Sequence, residues 1–102
     1  MELNILERFM LLQLLPKEGN FVTLKIVRDL QEVLAPTEEE FKELDIKHVD
    51  GNTTWNEKGR EEKEITIGEK ASDIIIEALK KLDKESKVTE NHISIYEKFV
   101  KD

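Results

Sequence analysis

The side chains of this 102-residue chain that could carry chemistry are two histidines, His48 and His92, and a surplus of carboxylates: 23 Asp and Glu against 16 Lys and Arg. Cysteine is absent, which removes thiol chemistry and disulfides. A metal site draws three or four ligands at organised spacing. Neither His48-Val49-Asp50 nor Glu90-Asn91-His92 supplies such a set, so no metal is expected. Nucleophilic catalysis needs a Ser, Thr or Lys beside a base, and no GxSxG-like elbow is present. Gly19, Gly51, Gly59 and Gly68 stand isolated, so no loop cradles a phosphate and no cofactor is expected. Paired carboxylates abound, but in so acidic a chain their number singles out none of them. The expectation is a protein that is not an enzyme. His92 is the more informative histidine, because on a helical wheel it lies centrally in an apolar arc beside Tyr96 and Phe99. Either it is a packed side chain with one satisfied nitrogen, or His92 and Tyr96 form a ligand or pH-sensitive contact.

The net charge of −7 is unevenly spread. Residues 1–36 carry five acids and four bases, residues 37–68 ten acids and five bases, and residues 69–102 eight acids and seven bases. The middle third therefore holds a net −5, and Glu38, Glu39, Glu43, Asp50, Glu57, Glu61 and Glu62 are its candidate partner surface. Binding to nucleic acid depends on neutralising phosphates with Lys and Arg, so nucleic acid is an unfavoured partner. The same charges also suit ordinary solubility.

These groups must be positioned by elements, and the one that organises the rest is the segment 3–15, LNILERFMLLQLL. At 100° per residue Asn4, Glu7 and Arg8 fall on one side as a solvated stripe, with Leu6, Phe9, Met10, Ile5 and Leu12 opposite. Leu11 and Leu15 then fall back on the polar side. A helix that is apolar all round should be buried all round, so Leu11 and Leu15 either lie beneath another element or form a self-association surface. Gln13, within the apolar arc, needs a hydrogen-bond partner if buried.

Pro16 stops this helix, and Asn20 is placed to cap a second one over 21–35, with Val22, Ile26, Leu30 and Val33, joined by Val27 and Leu34, as its apolar arc; Pro36 closes it. That helix and the one at 69–83 are expected to cover the Leu6, Phe9 and Met10 side of the first. Thr37-Glu38-Glu39-Glu40 has the spacing of a capping box opening a short helix over 38–44. Residues 46–49 and 53–55 flank Asp50-Gly51-Asn52, a hairpin signal, and residues 64–67 alternate as a third strand of the same antiparallel sheet. A clear amphipathic helix over 69–83 follows, in which Ile76 lies off the apolar arc and joins Leu11 and Leu15 as a self-association candidate. A last helix opens at Thr89, with Ile93, Tyr96, Phe99 and Val100 on one side. The whole reads as one α+β domain over residues 1–102, with four to five helices and a small three-stranded antiparallel sheet. The first sixteen residues lack the basic start of a secretory signal, no stretch approaches a membrane span, and a cytoplasmic location is expected.

Two runs, LLPKEGNFVTLKIVRDL (14–30) and KEITIGEKASDIIIEALKKLDKESKVTENHISIYEKF (63–99), resemble small uncharacterised proteins encoded by phages and prophages of Gram-positive bacteria. The resemblance implies an accessory protein acting in the cytoplasm of an infected host cell. It carries over no functional residues. With the acidic middle segment and the lack of catalytic chemistry, it leads to a non-enzymatic protein that binds a host protein and modulates or inhibits a host system, such as a defence. A second reading is a homo-oligomeric binder or sponge for a small anionic, nucleotide-like ligand. A third is a winged-helix DNA-binding regulator, with Lys25 and Arg28 on its helix and Lys47, Lys58 and Arg60 on its wing, although Asp29 and Glu32 share that helix face.

Overall fold

The computed structural model describes residues 1–100. A two-residue strand, β1 (Glu2–Leu3), leads into helix α1 (Ile5–Leu14). Then come α2 (Phe21–Leu34), α3 (Glu38–Glu43), the strands β2 (Lys47–Val49) and β3 (Asn52–Thr54), and a 3₁₀ turn (Glu57–Arg60). Strand β4 (Lys63–Glu64), the long helix α4 (Glu69–Lys84), a second 3₁₀ turn (Glu90–His92) and α5 (Ile93–Phe99) complete it. No helix of the described residues is long and apolar enough to cross a membrane.

Local chemistry sets the helix starts. Asn4 Oδ1 accepts from the Glu7 amide at 2.8 Å while Glu7 Oε1 accepts from the Asn4 amide at 3.0 Å, a capping box that begins α1 two residues later than its apolar run suggests. Asn20 caps α2 by accepting from the Thr23 amide. Thr37 and Glu40 form the reciprocal pair expected for α3. Each of these side chains satisfies amides that a helix start leaves without partners.

The α+β class holds, but the three-stranded sheet does not form. The hairpin β2–β3 stands alone, with Val49 paired to Asn52 around Asp50 and Gly51. Both turn residues have positive φ, 52° and 79°, the geometry of a two-residue hairpin turn that matches strand twist. The expected third strand turns instead to the N-terminus: β4 pairs antiparallel with β1, and the Ile65 amide donates to the Met1 carbonyl at 2.8 Å. The cause is burial. Leu3 and Ile65, the residue after β4, both belong to the main core, so this strand pair lies against the helices, whereas the hairpin contributes no residue to that core.

The core sits among α1, α2, α4 and α5. Leu11, Leu15, Val27, Leu30, Leu34, Ile75, Leu79, Ile95 and Phe99 fill it, with Leu3 and Ile65 from the strand pair. This turns α1 around relative to its wheel. Its buried side is the one begun by Glu7 and Arg8, which are only 2% and 3% exposed, and continued by Leu11 and Leu15. The expected solvated stripe is therefore the core-facing stripe. Leu11 and Leu15 are not available for self-association, because α2, α4 and α5 enclose them; burying each is worth roughly 1.5–3 kcal/mol. The Leu6, Phe9 and Met10 side is not covered by α2 and α4 and stays half-buried, while Gln13 is exposed and needs no protein partner. Ile76 packs at the core margin. In α5 the deepest side chain is Ile95, and Ile93 lies largely outside.

Candidate functional site

Two charged residues on the buried side of α1 organise the surface around it. Arg8 Nε donates to the Leu34 carbonyl at 2.9 Å and Nη2 to the Ala35 carbonyl at 3.0 Å, so the guanidinium satisfies backbone acceptors that the C-terminal end of α2 leaves open. Both terminal nitrogens also meet the Glu40 carboxylate, a two-pronged ion pair that ties α1 and α2 to the first turn of α3. Lys63 lies 3.5 Å from the same carboxylate. The guanidinium, together with the Thr37 amide, outweighs the effect of burial and holds the Glu40 carboxyl at about 2 against an ordinary 4.5.

Glu7 is the centre of a second cluster. Burial acts to raise its carboxyl, but the Asn4 amide and the Lys98 ammonium, with Ser94, outweigh it and leave the carboxyl below its ordinary value. Lys98 Nζ donates to Glu7 at 2.9 Å, to the Glu2 carbonyl at 2.7 Å and to Glu62. Burial acts to lower the ammonium, and the two carboxylates reverse that to a net rise. Both clusters are fully satisfied, with no orphaned buried side-chain polar atom among the described residues.

Beside the Arg8–Glu40 pair a cleft of about 270 Å³ opens between α3 and the 57–63 segment. Glu39, Glu43, Glu61 and Glu62 line it together with Glu40, against Arg8, Lys58 and Lys63. Ion pairs among the described residues engage Glu40 and Glu62 but not Glu39, Glu43 or Glu61. Glu39, Glu43 and Glu61 thus line the cleft without an ion pair among the described residues, as does Lys58.

On the far side of the Glu57–Arg60 turn lies a broader groove of about 830 Å³, floored by Leu6, Phe9, Met10 and Leu12 of α1 and by Trp55, with Gln13, Lys17, Asn52 and Asn91 among its polar margins. Phe9 and Trp55 pack as a tilted pair with ring centroids 5.5 Å apart. Gly59 makes the partition between cleft and groove. A Cβ there would fall 2.4 Å from Trp55 Cδ1 and 2.7 Å from Ile5 Cγ2, so only glycine lets the turn close down on both side chains.

Of the seven acids expected to form a partner surface, the fold brings Glu39, Glu43, Glu61 and Glu62 to one cleft. Glu38, Asp50 and Glu57 are exposed and do not line it. His92 is 9% exposed, and its Nδ1 accepts from the Thr89 amide at 2.9 Å with the Thr89 hydroxyl at 3.0 Å. It caps the last helical segment, the packed and hydrogen-bonded one of its two alternatives. Tyr96 donates to Asp83 Oδ2 at 3.2 Å, joining α5 to the end of α4. His92 and Tyr96 are thereby engaged in holding the fold. The groove over Phe9, Met10 and Trp55 escaped sequence reasoning. Its signal is the apolar surplus of the first helix, which periodicity alone does not distinguish from a face covered by other helices.

Compared with protein-family models, with curated proteins and with solved structures, the chain matches none.

Proposed function

We propose that this chain is a non-enzymatic, phage-encoded accessory protein that binds a host protein and modulates its system. The partner segment it suits carries lysine or arginine next to an apolar anchor. One observation supports this reading: the acidic cleft and the aromatic groove share a single partition, Gly59 beneath Trp55, and so present opposite chemistries side by side. Trp, Phe and Met are enriched at the cores of protein interfaces relative to the rest of the surface, and Trp is among the residues that carry most binding energy there. Carboxylates at the margin steer a basic partner and fix its register more than they add affinity. A nucleotide-like anion in the cleft would meet five carboxylates against the three cations Arg8, Lys58 and Lys63, which gives the sponge reading less support there.

The test is retrieval from a Gram-positive host lysate with the purified protein as bait. The wild type is expected to retain a specific partner at low salt and less of it at moderate salt. The triple variant Glu39→Lys, Glu43→Lys, Glu61→Lys changes only exposed positions and should lose that partner. Retrieval of nothing specific by the wild type at either salt, or equal retrieval by the variant, refutes the proposal.

A further inference from the structure

We propose that two copies of this chain associate through α2 as an antiparallel pair about a two-fold axis. Helix α2 has more apolar surface than the core covers. Val27, Leu30 and Leu34 face inward, whereas Val22 is 61% exposed and Val33 43%, with Ile26 half-buried between them. At 100° per residue Val22, Ile26, Asp29 and Val33 fall within about 60° of arc, and Lys25 and Glu32 run together along one flank. On the other flank the row continues into a shallow groove of about 480 Å³, where Ile26 and Val33 meet Gly68 and Ala71 at the start of α4.

The charges single out a second copy as the occupant. The cation of the row, Lys25, precedes its acids, Asp29 and Glu32. Set antiparallel with Val22 opposite Val33 of the second copy, the pair has its midpoint between Val27 and Arg28. At 1.5 Å rise per residue, Lys25 then stands about 1.5 Å along the axis from the second copy's Asp29 and about 3 Å from its Glu32. A two-fold between side-by-side helices sets like flanks facing one another, so Lys25 and the second copy's Glu32 meet on the same side. A parallel arrangement would instead set Asp29 against Asp29 at one level across the seam, which is repulsive, and put the Lys25 and Glu32 flanks of the two copies on opposite sides, where they cannot pair. Within one chain the ion pairs among the described residues involve none of Lys25, Asp29 and Glu32. The apolar seam is narrow, so the association is weak, with a dissociation constant on the order of 100 µM, and the ion pairs set its direction.

Sedimentation across a concentration series tests this. The wild type should rise from 11.9 kDa towards twice that mass. Lys25→Glu makes the row wholly acidic, and Asp29→Lys with Glu32→Lys makes it wholly basic; each should weaken self-association about tenfold or more. An equimolar mixture of the two should form a heterodimer at least as well as the wild type forms its dimer. All three positions are exposed, and helical circular dichroism verifies each variant's fold; Val22→Asp is an independent probe that should also dissociate the pair. A wild type that stays at its monomer mass up to about 1 mM overturns the proposal. So does undiminished association of either charge variant, or a mixture that fails to recover it.

Discussion

Replacing Glu40 by Gln removes one negative charge and leaves an amide of the same shape beside a guanidinium that is 3% exposed. Arg8 keeps its carbonyl partners Leu34 and Ala35, but its charge is left buried and uncompensated. The drop of the Glu40 carboxyl from 4.5 to about 2 corresponds to roughly 3 kcal/mol at 1.36 kcal/mol per pH unit. That agrees with the 3–5 kcal/mol, roughly, for breaking a buried pair by removing one partner. For a domain with a stability of about 5–15 kcal/mol this is a large share. With a urea slope of about 1–3 kcal/mol per molar, the unfolding midpoint should fall by about 1–3 M at pH 7. The pH dependence is the sharper test. A carboxyl whose folded value lies below its unfolded value contributes fully above the unfolded one, near 4.5, and loses that contribution as pH falls towards 2. Protonated Glu40 resembles Gln, so the gap between wild type and variant should be widest at neutral pH and close between pH 4.5 and 2. Urea unfolding of both proteins at stepped pH reads this directly. A gap below about 0.5 kcal/mol at pH 7, or one that stays constant down to pH 2, would refute the reasoning.

Lys98→Met should cost roughly 2 kcal/mol, since the ammonium is partly exposed but Glu7 is not. The Glu7 carboxyl should rise from its lowered position, seen by side-chain carboxyl NMR titration; an unmoved Glu7 would show that Lys98 does not hold it. Gly59→Ala must push Trp55 or Ile5 aside, at about 1–3 kcal/mol. Because Trp55 is the sole tryptophan, a red shift of its emission reports the opened partition, and unchanged emission with full stability would show that the turn accommodates a methyl group.

Much of the fold was legible in the sequence because it is encoded locally. Pro16 and Pro36 end helices by steric exclusion, Asn20 and Thr37 cap through their own oxygens, and Asp50-Gly51 adopts the positive φ that its hairpin needs. The amphipathic arc of α4 named its own buried side, with Ala71, Ile75 and Leu79 inside. What local pattern left open was which element pairs with which. Strand β1 is two residues long and shows no periodicity, so its pairing with β4 is settled by the shared burial of Leu3 and Ile65. The side that α1 buries was decided in the same way. Charge types mark a stripe as solvated only when no counter-charge awaits it, and Glu40 and Lys98, 32 and 91 residues away from Arg8 and Glu7, supply those counter-charges through the tertiary fold. With them in place Leu11 and Leu15 enter the core, and the Phe9 and Met10 side is left to line the groove with Trp55. Composition alone determined that the middle of the chain is acidic. Only the tertiary structure brought Glu39, Glu43, Glu61 and Glu62 to one cleft and left Asp50 outside it in the hairpin turn, because α3 and the 57–63 segment meet across the Arg8–Glu40 pair.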